Sequence, residues 1–170
     1  MMESQHVHGY TLIELMVTLS VVAILLGVAA PNFASFLASA RASADVQTLT
    51  RSLMNARSEA VARGETVRVT AVGGSWDRGW RTWIDSNDND SFDVGELIRQ
   101  ASSLEGGAEL TSARNGSAVT SIAFDAEGFS SPAEVVAFTY RTQKPAKCSR
   151  DRDVRLSATG QVTVTERACS

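Results

Sequence analysis

Two hydrophobic rhythms divide this chain. From Leu12 to Ala30 it reads LIELMVTLSVVAILLGVAA, 19 residues with a single charge, Glu14. At ~1.5 Å rise per residue a helix here is ~28 Å long, close to the ~30 Å hydrocarbon core of a bilayer. Pro31 removes a backbone donor and predicts a kink rather than an end, because a helical period resumes beyond it. Phe33, Leu37, Ala40 and Ala44 recur at 4-3-4 spacing, then Val46, Leu49, Leu53, Ala56 and Ala60 at 3-4-3-4. The slip between Ala44 and Val46 predicts a change of packing face. One helix is expected from about Tyr10 to Arg63, stopped by Gly64, with its second half laying an apolar stripe on a globular domain.

After Gly64 the period becomes two. Thr66 to Val72 predicts a strand with Val67, Val69 and Ala71 on one face, and Gly73-Gly74 a turn. Further strands are expected at Trp80–Ile84, Glu96–Gln100, Val119–Phe124, Val135–Tyr140, Val154–Ser157 and Gln161–Thr165, the last two joined by the hairpin signal Ala158-Thr159-Gly160. The stretch from Ser102 to Ser117 reads as loop. The fold class is α+β: a long, partly transmembrane N-terminal helix packed on a small antiparallel β-sheet domain.

Charge narrows the function. The net charge of −3 disfavours a protein that coats nucleic acid. The only histidines are His6 and His8, so the rest of the chain lacks the commonest general base and metal ligand. No nucleophile elbow, P-loop or dinucleotide fingerprint is present, and the chain reads as a non-enzyme. The apolar run is longer than a signal-peptide core, and no small-x-small cleavage site ends it. Glu14 is its informative residue, because an ionisable group in a span costs several kcal/mol and marks function by default. Near one end it can snorkel to the interface. Otherwise it needs a cation, and the run holds no Lys or Arg. An α-amino group freed by a cut just upstream would serve.

That upstream segment, Gly9 followed by YTLIELMVTLSVVAILLGVAAPNF, resembles the class III signal of type IV pilins and pseudopilins. The resemblance implies cleavage after Gly9 by a prepilin peptidase, N-methylation of the new terminal residue Tyr10, and pairing of Glu14 with a neighbouring subunit's terminal amine. Pro31 also matches. The leader MMESQHVHG carries no Lys or Arg, unlike the usual basic leader, so charge gives no help with orientation. Further along, Asn55 to Gly64, WDRGWRTWID from Trp76, Phe124 to Gly128, and Cys148 with Val154 to Val164 resemble, in order and spacing, the GspH/FimT/FimU group of minor pilins and pseudopilins. The implied organisation is a leader at 1–9, a membrane and filament-core helix at 10–33, its amphipathic continuation at 34–64, and a β-rich head at 65–170. The implied location is the bacterial inner membrane, with a single pass and a periplasmic head, and then a pilus or pseudopilus. The implied partners are other minor pilins or pseudopilins, a major pilin and the prepilin peptidase. The implied role is assembly, at priming or at the tip, of a type IV pilus or a type II secretion pseudopilus. In an extracytoplasmic head Cys148 and Cys169 should pair, as in several minor pilins.

Three features leave alternatives open. Asp85, Asn87, Asn89, Asp93 and Glu96 fall at loop positions 1, 3, 5, 9 and 12 of a calcium-binding EF-hand pattern. However, position 6 is Asp90 instead of Gly and the flanks read as strands, so a polar turn closed by its own side chains fits too; no cofactor is required, and calcium is the alternative. Trp76, Trp80 and Trp83 form either the packing of one hairpin or a stacking platform. Between Lys144 and Arg167 six bases face three acids. Some FimT-type relatives bind DNA here during natural transformation, which makes Lys147, Arg150, Arg152 and Arg155 candidate DNA contacts. The Gly-Arg-x-Arg of those relatives is Gly160-Gln161-Val162-Thr163 in this chain.

Overall fold

The computed structural model describes residues 10–87, 89–143 and 146–169, with the side chains of Val28, Pro31 and Asn32 outside that description. The chain divides into two compact units, one ending at Leu37 and the other beginning at Ala38. Helix α1 runs over Leu12–Arg63 and is assigned as helix through Pro31. Thr11 caps it, its Oγ1 accepting the Glu14 backbone N–H at 3.2 Å. Its last turn closes with the Gly64 and Glu65 N–H groups donating to Ala60 O, Gly64 having a φ of 69°.

Among the described residues ten strands follow: β1 (Val67–Ala71), β2 (Trp80–Ile84), β3 (Leu97–Ala101), β4 (Glu109–Arg114), β5 (Ser117–Ala118), β6 (Ser121–Phe124), β7 (Ser130–Ser131), β8 (Val136–Arg141), β9 (Arg152–Leu156) and β10 (Val162–Glu166). They form two five-stranded sheets, ordered β3-β2-β1-β6-β7 and β10-β9-β8-β4-β5, and every pairing is antiparallel. This is the long-helix, antiparallel α+β fold that the patterning predicts.

The stretch read as loop holds β4, which pairs with β8 along its whole length. It escaped notice because its core-facing positions are Leu110 and Ser112, a single large apolar residue. Ser112 is accommodated by donating its hydroxyl to Val119 O. The helix stripe also differs from expectation. Ala42, Val46, Leu49, Leu53, Ala56 and Ala60 are buried, whereas Phe33, Ala40 and Ala44 are exposed. The buried face therefore begins at Ala42 and keeps one 4-3-4-3-4 rhythm. It meets Val67, Val69, Ile122 and Phe124 of the first sheet and Val136, Phe138, Val154 and Leu156 of the second in one core.

Trp76 and Trp80 lie in this core, their rings 6.4 Å apart, and Trp76 stacks edge-on to Phe138 at 5.0 Å. Trp76 Nε1 donates to Val119 O at 2.8 Å. Trp83 sits on the opposite face of β2, donating to Thr70 Oγ1 at 3.0 Å. The tryptophans are packing residues on two faces of the sheet, not a shared platform.

Candidate functional site

Three regions carry the candidate residues. The first is the start of α1. Tyr10 and Glu14 are exposed, and so are Leu12, Ile13, Leu15, Met16, Val17, Leu19, Val21 and the other large apolar residues up to Leu26. Gly9 and the leader lie outside the described residues. Among the described residues no helix is long and apolar enough to cross a membrane. The run from Leu12 to Ala30 includes Val28, whose side chain is outside them.

The second is the acidic loop, which folds back over the outer face of the first sheet. Phe92 packs edge-on against Trp83 at 6.0 Å, and the Arg81 guanidinium lies 4.7 Å above the Phe92 ring. The carboxylates of Asp85, Asp93 and Glu96 accept hydrogen bonds within the loop. Asp85 accepts the backbone N–H groups of Asn89 at 3.0 Å and Asp90 at 2.8 Å. Asp93 Oδ2 accepts from the Asn87 and Asn89 amides at 2.9 and 3.0 Å. Glu96, buried, accepts from Ser86 N and Asp93 N at 2.9 and 3.1 Å and completes a capping box with Asp93. Arg68 pairs with both Asp85 and Asp90. The Asp93-x-x-Glu96 spacing is the signal by which this capping box could have been found; the cover of Trp83 by Phe92 leaves no such signal.

The third is the C-terminal region. Cys148 and Cys169 form a disulfide, with Cα atoms 5.7 Å apart. Among the described residues, the bases of this region do not gather into one exposed patch. Arg150 is buried and donates from Nε to Ser39 Oγ at 2.9 Å. Arg152 donates to Ser149 O and Asp151 O and lies 3.6 Å from Glu166. Arg167 lies 3.2 Å from Asp153. Lys147 and Arg155 are exposed, and Lys144 lies outside the described residues.

Two further long-range ties that patterning does not reveal hold α1 to the β-rich part of the chain. Tyr140 Oη donates to Asp45 Oδ2 at 2.7 Å. Burial and that bond push the Tyr140 phenol well above its usual range, and burial raises Asp45. Arg57 Nε donates to Gly128 O at 2.9 Å. A Cβ at Gly160 would stand 2.3 Å from that carbonyl oxygen and 2.8 Å from Arg57 Nε. Three segments far apart in sequence, around Arg57, Gly128 and Gly160, thus meet at one point.

The family model described as "Type II transport protein GspH" matches residues 45–160, from Asp45 through this meeting point to Gly160. The chain belongs to the GspH family. Its members are minor pilins and pseudopilins, structural subunits of type IV pili and type II secretion systems that assemble with other pilins or pseudopilins. A second model, the prokaryotic N-terminal methylation motif, matches residues 4–30, which marks a membrane-anchored pilus or pseudopilus component. Comparison with curated proteins gives no match. Solved structures similar to this GspH-family chain include the type IV minor pilin FimU of Pseudomonas aeruginosa (19% identity, TM-score 0.61, covering 72% of this chain and 87% of that one). Another is the minor pseudopilin EpsH from the type 2 secretion system of Vibrio cholerae (13% identity, TM-score 0.56, covering 74% and 97%). At such identities the likeness establishes the fold.

Proposed function

We propose that this chain is a minor pilin, cleaved by prepilin peptidase after Gly9 and N-methylated at Tyr10. In this reading it acts in the priming or tip complex of a type IV pilus, or of the related type II secretion pseudopilus. The observation that carries the reading is the joining, on one chain, of the methylation motif at residues 4–30 to the GspH match at 45–160. The exposed apolar residues from Leu12 to Leu26 suit burial in lipid first and among neighbouring helices afterwards. Glu14 then sets register against a neighbour's terminal amine. The C-terminal disulfide favours the pilus over the secretion system.

The geometry gives less support to a DNA receptor. Arg150 is committed to α1, and Arg152 and Arg167 face acids. Calcium has no part in this reading, which takes the loop as a polar turn in which amides meet Asp85, Asp93 and Glu96 and Arg68 meets Asp85.

The test is the intact mass and N-terminal sequence of the protein recovered from cells with and without the peptidase. Processing should yield a chain that begins at N-methylated Tyr10, and Gly9→Val should retain the leader. Glu14→Ala should be processed yet fail to enter filaments. A protein that keeps residues 1–9 in peptidase-competent cells refutes the reading.

A further inference from the structure

The unit that begins at Ala38 contains the entire core cluster. Its first turns of helix contribute little to that core. Across residues 38–45 only Ala42 is buried, and it offers a single methyl group. The larger buried residues of α1 begin with Val46 and Leu49. Hydrophobic stabilisation scales with the apolar area removed from water, so polar bonds carry most of the docking of this segment.

Those bonds come from one end of the second sheet. Ser39 Oγ accepts from Arg150 Nε at 2.9 Å, and Asp45 Oδ2 accepts from Tyr140 Oη at 2.7 Å. Ser39, Ala42 and Asp45, spaced by three, share one face of the helix. A third contact, Arg41 to Glu105 at 3.9 Å, joins two exposed side chains and adds little. Tyr140 stands opposite Arg152 in the β8–β9 ladder, and Thr142 N, just beyond it, donates to Asp151 Oδ1 at 2.9 Å. Arg150, 5% exposed, ends the helical turn Cys148–Arg150 that leads into β9.

The disulfide holds that same turn, because Cys148 is its first residue. The Arg150 N–H donates to Lys147 O and the Asp151 N–H to Cys148 O, both at 2.9 Å, so the cysteine's position sets the arginine's backbone. Cys169 lies beyond β10, on a tail whose Arg167 N–H reaches Asp151 O at 3.3 Å. With the disulfide open, hydrogen bonds alone fix the turn. A long side chain keeps a buried bond only where its backbone is held, since ordering both costs entropy.

We propose that the Cys148–Cys169 bond is a redox latch on α1. Closed, it fixes Arg150 and docks residues 38–45 against the second sheet. Open, it releases that segment while the helix from Leu49 onward stays in the core. Closure is a two-electron step: the two thiols give two electrons and two protons to a disulfide-bearing oxidant, which leaves as a dithiol. The segment therefore docks firmly only after the chain has reached an oxidising compartment. The latch goes beyond the proposed function and involves neither the leader nor Glu14, so either can fail alone.

The test is amide hydrogen exchange, read by mass spectrometry on the full chain in detergent micelles, before and after reduction. Cys169 is exposed, so a small reductant reaches the bond in the folded protein. Reduction should speed exchange across residues 38–45 by ~tenfold or more, the factor expected for losing a bond to a charged group, and change the helix beyond Leu49 far less. Gly116→Ala is the control for general loosening, since nothing lies within 4 Å of its added Cβ, and should leave residues 38–45 as they were. Ser39→Ala, at an exposed position, should reproduce the fast exchange with the disulfide closed, and reduction should then add nothing further. Unchanged exchange over residues 38–45 on reduction, an equal rise beyond Leu49, or additive effects of reduction and Ser39→Ala would each overturn the proposal.

Discussion

Replacing Gly160 by alanine adds one methyl group where Arg57, Gly128 and the last hairpin meet. Two costs follow. Gly160 has a φ of 76°, and an L-residue in that left-handed region costs ~1–2 kcal/mol. The new Cβ would also stand 2.3 Å from Gly128 O and 2.8 Å from Arg57 Nε. The arginine can swing away, but only by giving up its bond to that carbonyl, and the carbonyl belongs to backbone. Overpacking of this kind costs a further ~1–3 kcal/mol, for a total of ~2–5 kcal/mol. Gly116 supplies the control: its φ is 82° and nothing lies within 4 Å of its added Cβ, so Gly116→Ala carries the backbone cost alone. The assay is urea unfolding of the Ala38–Ser170 unit, comparing midpoints at constant slope. Gly160→Ala should be ~1–3 kcal/mol less stable than Gly116→Ala. Equal losses would mean that the close approach of the two turns does not constrain the fold.

Opening the Cys148–Cys169 bond by replacing both residues with serine frees a loop of sequence separation 21 and should cost ~3 kcal/mol by chain entropy, read from the same urea midpoints. The Ala38–Ser170 unit has a single tyrosine, Tyr140, so ultraviolet titration of the phenol reports it alone; its ionisation should begin well above pH 10, and Asp45→Asn should bring it down. Since the folded phenol titrates above its unfolded value, its stabilising contribution is complete below pH 10 and is lost as pH rises through the folded value. Asp45 is also raised, so its contribution is fullest below about pH 3.8 and falls as pH climbs through its folded value; melting curves across the acid range check the sign. Arg150→Ala should destabilise by ~1.5–3 kcal/mol because it removes a buried side chain and its charged, partly buried bond to Ser39, whereas Lys147→Ala and Arg155→Ala should leave thermal unfolding nearly unchanged.

The elements that patterning located are those whose burial is repetitive. The stripe from Val46 to Ala60, the alternation of Val67, Val69 and Ala71, and the Trp80–Ile84 strand each repeat an apolar residue on one face often enough to be heard above the rest of the chain. β4 and β7 were inaudible for the opposite reason. They bury Ser112 and Ser130, which sit in the interior by virtue of particular acceptors, Val119 O for one and Glu134 O for the other. The candidate residues divide in the same way. Gly9, Tyr10 and Glu14 form a contiguous signal, and the cysteine pair follows from its context. Arg150 looked like a surface base until its partner, Ser39, proved to lie 111 residues away. Distant partners of that kind leave no periodic trace, as with Arg57 and Gly128 or Asp45 and Tyr140.

The order in which the strands enter the two sheets bears on how the polypeptide is made. The chain lays down β1 to β3 in the first sheet, crosses to the second for β4 and β5, returns for β6 and β7, and finishes in the second with β8 to β10. No point along the sequence separates a finished sheet from an unstarted one without stranding β4, whose long partner β8 emerges more than twenty residues later. The globular unit therefore cannot mature in halves as it emerges N-terminus first. Its second sheet waits for nearly the last residue, and until then the apolar face of α1 and the first sheet is open to whatever chaperones the compartment provides.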